Sequence, residues 1–160
     1  MKKKYIIASS IVFLSFVFDQ VTKYFVATKI SHYESIPIIK DFFYLVNIEN
    51  TGVTFGMLRN LPPLLKKPLL VFLPIIIAGF VIYLLVKTPI EEKLSTIAFS
   101  LILGGAIGNI FDRVRMNYVV DFLHFNLGFM WWPAFNIADA VIVCGMVLLG
   151  IEVIRGKKIV

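Results

Sequence analysis

The sequence predicts an all-α membrane protein, four transmembrane helices with a small β-sheet, a cradle of strands, on one outer face. Three observations predict it. The 160-residue chain is 59% hydrophobic and only 16% charged, whereas soluble domains run at about 45–50% apolar and about 25% charged. Its mean hydropathy is +0.86. Its apolar residues gather into four long runs, and the loops between them are aromatic and β-branched rather than low in complexity. Length fits a single integral membrane domain, 1–160, because lipid takes the place of a large water-excluding core. The expected spans are 5–28, 68–87, 94–114 and 136–155, with outer loops 29–67 and 115–135.

The two middle spans are the plainest. Pro68 to Val86 and Leu94 to Phe111 carry no charge over about 19 and about 18 residues, enough to cross hydrocarbon as helices. The first span, Tyr5 to Thr28, contains Asp19 and Lys23. The last, Asn136 to Ile154, contains Asp139 and Glu152. Both are expected to be helices whose polar residues sit near an interface. Lys2-Lys3-Lys4 before an apolar run has the layout of a signal peptide. The run continues into Asp19-Gln20-Val21-Thr22-Lys23 without a small-residue cleavage site, so the first span is expected to stay uncleaved.

Four spans put both termini on one side. Lys2, Lys3, Lys4, Lys87, Lys93, Arg155, Lys157 and Lys158 crowd three short segments there, which makes that side cytoplasmic. The excess of 16 Lys+Arg over 10 Asp+Glu is thereby a topology signal and implies no nucleic acid. In the first outer loop, Asp41 to Ile48 reads as a strand ending at the turn signal Asn50-Thr51-Gly52, and Val53-Thr54-Phe55 resumes β character. Tyr118 to Phe125 is a second such run. Phe129-Met130-Trp131-Trp132 suits the headgroup level, and Pro62-Pro63 with Pro68 punctuates the return into the second span.

The acids are the informative residues. Asp19, Asp112, Asp121 and Asp139 all fall towards the outer side when the serpentine is traced. An acid near the bilayer centre costs roughly 2.5–3.5 kcal/mol, so each needs a reason. Val119-Val120-Asp121-Phe122 sets a carboxylate in an apolar strand, and Phe135-Asn136-Ile137-Ala138-Asp139 sets another at a helix start. Two carboxylates sharing a poorly solvated site hold one proton between them. The ionised partner takes a proton from water and the protonated one donates to the amide being broken. Such a pair hydrolyses peptides without metal or covalent intermediate. The same residues also read structurally, Asn136 and Asp139 as a helix cap and Asp121 as an ordinary loop acid.

The other polar groups read mainly as architecture. Asp112-Arg113 fits an interfacial ion pair at a helix end, with Arg113 also able to hold a phosphate or ester. Asp19 and Lys23 are an i,i+4 pair, and Gly104 and Gly108 a close-packing face. His32 and His124 lack metal-ligand spacing, so no metal and no cofactor is expected; His124 reads as a solvated loop residue. The serines lie at mid-span or towards the inner side, apart from Ser31 and Ser35, and no Ser/His/Asp triad suggests itself. Cys144 excludes a disulfide framework by being single and reads as a small packing residue.

Asp19-Gln20-Val21-Thr22-Lys23, Asn50-Thr51-Gly52-Val53-Thr54-Phe55-Gly56, Gly108-Asn109-Ile110-Phe111-Asp112-Arg113, Val119-Val120-Asp121-Phe122 and Phe135-Asn136-Ile137-Ala138-Asp139 together resemble, in order, the five motifs of bacterial lipoprotein signal peptidase, or signal peptidase II. The resemblance covers nearly the whole chain. It implies an aspartic endopeptidase of the bacterial cytoplasmic membrane, with its active site at the outer face. Such an enzyme removes the signal peptide from diacylglyceryl-modified prolipoproteins, cutting before the lipidated cysteine. By the resemblance, Asp121 and Asp139 are the catalytic pair. Asn50, Gly52, Asn109, Arg113 and Asn136, together with Asp112, support the site around the substrate, and Asp19 and Lys23 hold the helices. Thr54 departs from the alanine common at that position. The implied partners are prolipoprotein substrates and membrane lipid, with no obligate protein partner.

Two other function classes fit parts of the chain. A proton-coupled carrier would use the intramembrane acids, but the two middle spans lack mid-depth charge. A non-catalytic lipid- or lipoprotein-binding protein would use the outer loops and Asp112-Arg113 only to grip.

Overall fold

A computed structural model describes residues 2–52 and 62–156. Its elements run α1 (Lys2–Lys29), β1 (Ser35–Ile39), β2 (Phe43–Asn50), α2 (Pro63–Lys87), α3 (Lys93–Met116), β3 (Val119–Asn126), β4 (Trp131–Phe135) and α4 (Ile137–Ile154). The four helices are each long and apolar enough to cross a membrane. The four strands form one antiparallel sheet in the order β1-β2-β3-β4. It sits where α1 and α3 end and where α2 and α4 begin.

Glycine makes α3 the centre of the bundle. Of its most apolar stretch 56% is buried, against 17–22% for the other helices. A β-carbon on Gly104 would come within 2.7 Å of the Ser15 β-carbon, and one on Gly108 within 2.6 Å of Asp19 Oδ2, so both faces towards α1 must stay bare. One on Gly105 would collide with the Ala138 carbonyl, and one on Gly145 would lie 2.6 Å from the Ala98 carbonyl, so α3 and α4 touch through glycine from both sides. Around Phe99, which is 2% exposed, Ala8, Ala78, Val81, Leu85 and Leu103 close the apolar contact of α1, α2 and α3.

The two ends of the bundle are pinned by polar groups. At the end away from the sheet, Lys4 Nζ donates to the Leu85 and Thr88 carbonyls, both at 2.6 Å, meeting the carbonyls that α2 leaves without helical partners. There too, Ser95 Oγ donates to Glu152 Oε2 at 3.3 Å. At the sheet end, Asn47 Nδ2 donates to the Ile30 carbonyl at 2.7 Å, and Val120 and Phe122 pack on Val26 and Ile30. Asn117 closes α3 in the left-handed region, φ 66°, where asparagine is tolerated.

Several expectations change. The polar residues of the first and last spans expected near an interface find partners among the helices: Asp19, Lys23 and Glu152 are all buried. Pro68 does not mark the start of α2. Pro62 caps that helix and Pro63 takes its first turn, where proline's missing N–H goes unnoticed, while Pro68 and Pro74 lie inside. The loop strands are displaced by one or two residues from the sequence reading, to Phe43–Asn50 and Val119–Asn126. Ser35–Ile39 and Trp131–Phe135 pair with them as further strands. Val53-Thr54-Phe55 lies outside the described residues.

Candidate active site

The site is built where β3, α3 and α4 meet. β3 brings Asp121, 3% exposed, to the start of α4. An irregularity between Leu45 and Ile48 inserts one extra residue in β2 opposite β3. Beyond it Asn50 pairs with Val119, and its Nδ2 donates to Asp121 Oδ2 at 2.8 Å. Asn50 Oδ1 in turn accepts from Gly52 N at 2.9 Å, a short turn that fixes which end of the amide faces Asp121.

Asn136 does two things at once. As N-cap of α4 its Oδ1 accepts from Asp139 N at 3.0 Å, and Asp139 Oδ2 accepts from Asn136 N at 3.3 Å, a reciprocal capping box. With its oxygen so engaged, its Nδ2 faces Asp121 Oδ1 at 2.6 Å. The cap and the candidate site are therefore the same residues. Asp139 Oδ1 accepts from Asn109 Nδ2 at 2.8 Å, so each oxygen of both carboxylates receives one N–H.

Behind this layer lies a buried ionic cluster. Lys23 Nζ is 2.7 Å from both Asp19 Oδ2 and Asp112 Oδ2, and it donates to Asn109 Oδ1 at 3.0 Å. Gln20 Nε2 bridges Asp19 and Asp112 at 3.1 and 2.9 Å. Asp19 Oδ1 accepts from Ala138 N at 2.9 Å, so a carboxylate of α1 satisfies a first-turn N–H of α4. Asp112 thus pairs with Lys23, not with its neighbour Arg113 as the sequence suggested. Consecutive helical residues point some 100° apart, and Arg113 turns instead to the Gly52 carbonyl at 3.5 Å, within the field of Asp139, Asp121 and Asp112.

Asp121 and Asp139 line one cleft of ≈ 530 Å³. Its walls are Trp132 to Phe135 of β4 and, from α4, Ala140, Ile142, Val143, Cys144 and Met146. Burial first, and the Asp139 charge second, push the Asp121 carboxyl up from 3.8 to about 7, against the pull of its Asn50 and Asn136 bonds. An acid half-protonated near neutrality beside a second carboxylate, on an apolar cleft, is equipped to move protons for a hydrolysis.

The residues 11–155 match the family model of signal peptidase (SPase) II. The chain belongs to the signal peptidase II family. It is 37% identical over 158 residues to a lipoprotein signal peptidase of Syntrophus aciditrophicus, covering 99% of this chain and 98% of that protein. It is 40% identical over 148 residues to one of Francisella tularensis subsp. novicida, covering 92% and 89%. A bacterial membrane enzyme structure solved in meso at 2.3 Å resolution superposes with TM-score 0.81 at 32% identity, over 97% of this chain and 89% of that one.

For a signal peptidase II chain, all ten residues singled out from sequence converge. Asp121, Asp139, Asn50, Asn109 and Asn136 form one hydrogen-bonded layer; Asp19, Lys23 and Asp112 form the cluster behind it, and Gly52 and Arg113 meet at its edge. Val53 to Gly56, Thr54 included, fall outside the described residues. His124 is not a solvated loop residue. It lies in β3 with its ring 4.7 Å from that of Trp131, and burial lowers its pKa. Its odd offset from Asp121 puts it on the opposite face of the strand. Cys144 is exposed on the cleft rather than packed between helices. Gln20 was missed, although it stands inside the first motif.

Proposed function

We propose that this signal peptidase works as an aspartic endopeptidase. In this reading Asp121 and Asp139 remove the signal peptide from diacylglyceryl-modified prolipoproteins by cutting before the lipidated cysteine. The site would open at the outer face of the bacterial cytoplasmic membrane, with both termini cytoplasmic. The observation that carries the reading is the pair itself: two carboxylates on one cleft, both bonded to Asn136. Asp139, at the positive end of α4 and within the field of Arg113, takes a proton from water as the water oxygen attacks the scissile carbonyl carbon. Asp121 supplies its proton to the carbonyl oxygen. When the C–N bond breaks, Asp139 gives its proton to the departing nitrogen, one hydroxyl of the tetrahedral diol returns its proton to Asp121 as the new carboxyl group forms, and the pair again holds one proton. The apolar walls along α4 and β4 suit the lipid of the substrate, and holding the acyl chains there would set the peptide at the carboxylates.

The test uses purified protein and a lipidated prolipoprotein peptide. Asp121→Asn and Asp139→Asn should each lower the rate of signal-peptide release by about 10²–10⁴-fold or more, with the folded protein recovered in normal yield. Full cleavage by either variant refutes the mechanism. A reporter fused at the C-terminus should report the cytoplasm, and a periplasmic signal would overturn the orientation.

A further inference from the structure

We propose that Lys23 is a positioning residue for the cleavage reaction, acting through Asn109 on Asp139, and not solely a brace between helices. The inference rests on the Asp121–Asp139 reading above. Lys23 is 3% exposed, and its ammonium faces three acceptors: Asp19 Oδ2, Asp112 Oδ2 and Asn109 Oδ1. An ammonium only donates, so the Asn109 amide must present its oxygen to Lys23. Its NH2 group then has to point the other way, and there it donates to Asp139 Oδ1 at 2.8 Å.

A flipped Asn109 would set two oxygens face to face at Asp139 and a nitrogen against the ammonium. Asn136 Nδ2 also approaches Asn109 Oδ1, at 3.3 Å, but that amide is committed more tightly to Asp121 at 2.6 Å. Lys23 therefore supplies the short, charged bond that settles the orientation. It also polarises the amide, which makes its N–H a stronger donor to Asp139. The charged neighbours in this part of the site are Lys23 and Asp19 from α1, Asp112 and Arg113 from α3, and Asp121 from β3. Among the cations of this set, Lys23 is the one that reaches the Asp139 carboxylate through the Asn109 amide.

The consequence is a division of labour. Asp139 Oδ1 is held as an acceptor, which keeps Asp139 in the role that receives the proton from water. Helix bracing alone would need Lys23 to meet Asp19 and Asp112; it gives no reason for the third bond.

A kinetic cycle tests this. Lys23→Met is combined with Asp112→Asn, so that one charge of each sign leaves together and the net charge of the cluster is unchanged, with Asp19 keeping its bonds from Gln20 and Ala138 N. Asn109→Leu removes the connecting amide and leaves the ionic cluster in place. Each change should lower kcat on a lipidated prolipoprotein peptide by about 10- to 100-fold with KM within about twofold. Adding Lys23→Met/Asp112→Asn to Asn109→Leu should lower kcat no further, because the route is already cut. Thermal stability, measured alongside, is expected to fall in both variants. If the two kcat losses multiply, or if Lys23→Met/Asp112→Asn raises KM and lowers stability at unchanged kcat, Lys23 is only a brace. If instead Asp139→Asn cleaves normally, it is the paired-aspartate reading that fails.

Discussion

Replacing Asp121 by asparagine should abolish cleavage and yet stabilise the protein above neutral pH. The folded chain holds the Asp121 proton up to about 7, whereas the unfolded chain releases it near 3.8. Between those values the unfolded state binds fewer protons, so stability falls as pH rises, and above about 7 the loss is complete. At about 1.4 kcal/mol per pH unit the interval amounts to about 4 kcal/mol. Asparagine does not titrate and escapes it. It does carry a fixed cost, because both Asp121 oxygens accept N–H groups and an amide offers only one oxygen. That cost is about 1–3 kcal/mol. Asp121→Asn should therefore be less stable than the unsubstituted protein by about 1–3 kcal/mol at pH 4 and more stable by about 1–3 kcal/mol at pH 8. Tryptophan emission during thermal unfolding in detergent reads this directly, since Trp131 and Trp132 lie in β4 beside the strand that bears Asp121. The midpoint difference should swing by something on the order of 10 °C across the range. In Asp139→Asn one of the two causes that raise Asp121 is gone, so the same swing should shrink without vanishing, because burial is the larger cause. A stability difference between Asp121→Asn and the unsubstituted protein that stays flat from pH 4 to pH 8 would show that the buried carboxyl is not held protonated.

In the proposed mechanism the same proton sets the rate, so kcat for signal-peptide release should decline as pH rises past about 7 and Asp121 ionises; a profile still climbing at pH 9 would contradict its proposed role as acid. Gly108→Ala and Gly105→Ala should each cost about 1–3 kcal/mol in detergent unfolding, by pressing on Asp19 and on the Ala138 carbonyl. Gly79→Ala, with nothing within 4 Å, should stay within about 0.5 kcal/mol of neutral. Cys144, the single cysteine, should react with a small apolar maleimide, and a bound lipidated peptide should slow that reaction several-fold. Equal labelling rates with and without peptide would place the lipid elsewhere.

The two middle helices were legible because uninterrupted hydrophobicity over 18 or more residues has few other readings, and the first and last because apolar runs flank their few charges. Asp121 and Asp139 were legible as candidates because a carboxylate in an apolar strand or at an apolar helix start is expensive. What sequence could not supply was partnership. Asp112 looked paired with Arg113 because they are adjacent, but adjacency along a helix turns side chains apart, and Asp112 finds Lys23 on another helix at 2.7 Å. For Glu152 the sequence offered a place near an interface but no partner; α4 packs close to α3 at Gly145, and Glu152 lies buried beside Ser95. Cys144 has the size and polarity of a packing residue, but in the fold it lies exposed on the cleft. The choice between Asn136 as cap and Asn136 as a candidate site residue could not be made from spacing, because one side chain both caps α4 and donates to Asp121.

That double use explains why the site stands at the start of α4. Asp19, Asp112 and Asp139 lie around Lys23 and Arg113, three acidic side chains to two basic ones. Asp121 adds a fourth acid, and burial first and the Asp139 charge second raise its pKa there. Backbone N–H groups at the start of α4 offset part of the remaining imbalance, Ala138 N donating to Asp19 Oδ1 and the N-cap Asn136 N to Asp139 Oδ2. Placing the pair halfway along a helix would forfeit those donors, since every N–H there is already bonded within the helix. A buried cluster that must keep one proton loosely held is best built where a helix begins, and the glycines of α3 let α1 come near enough to contribute its half.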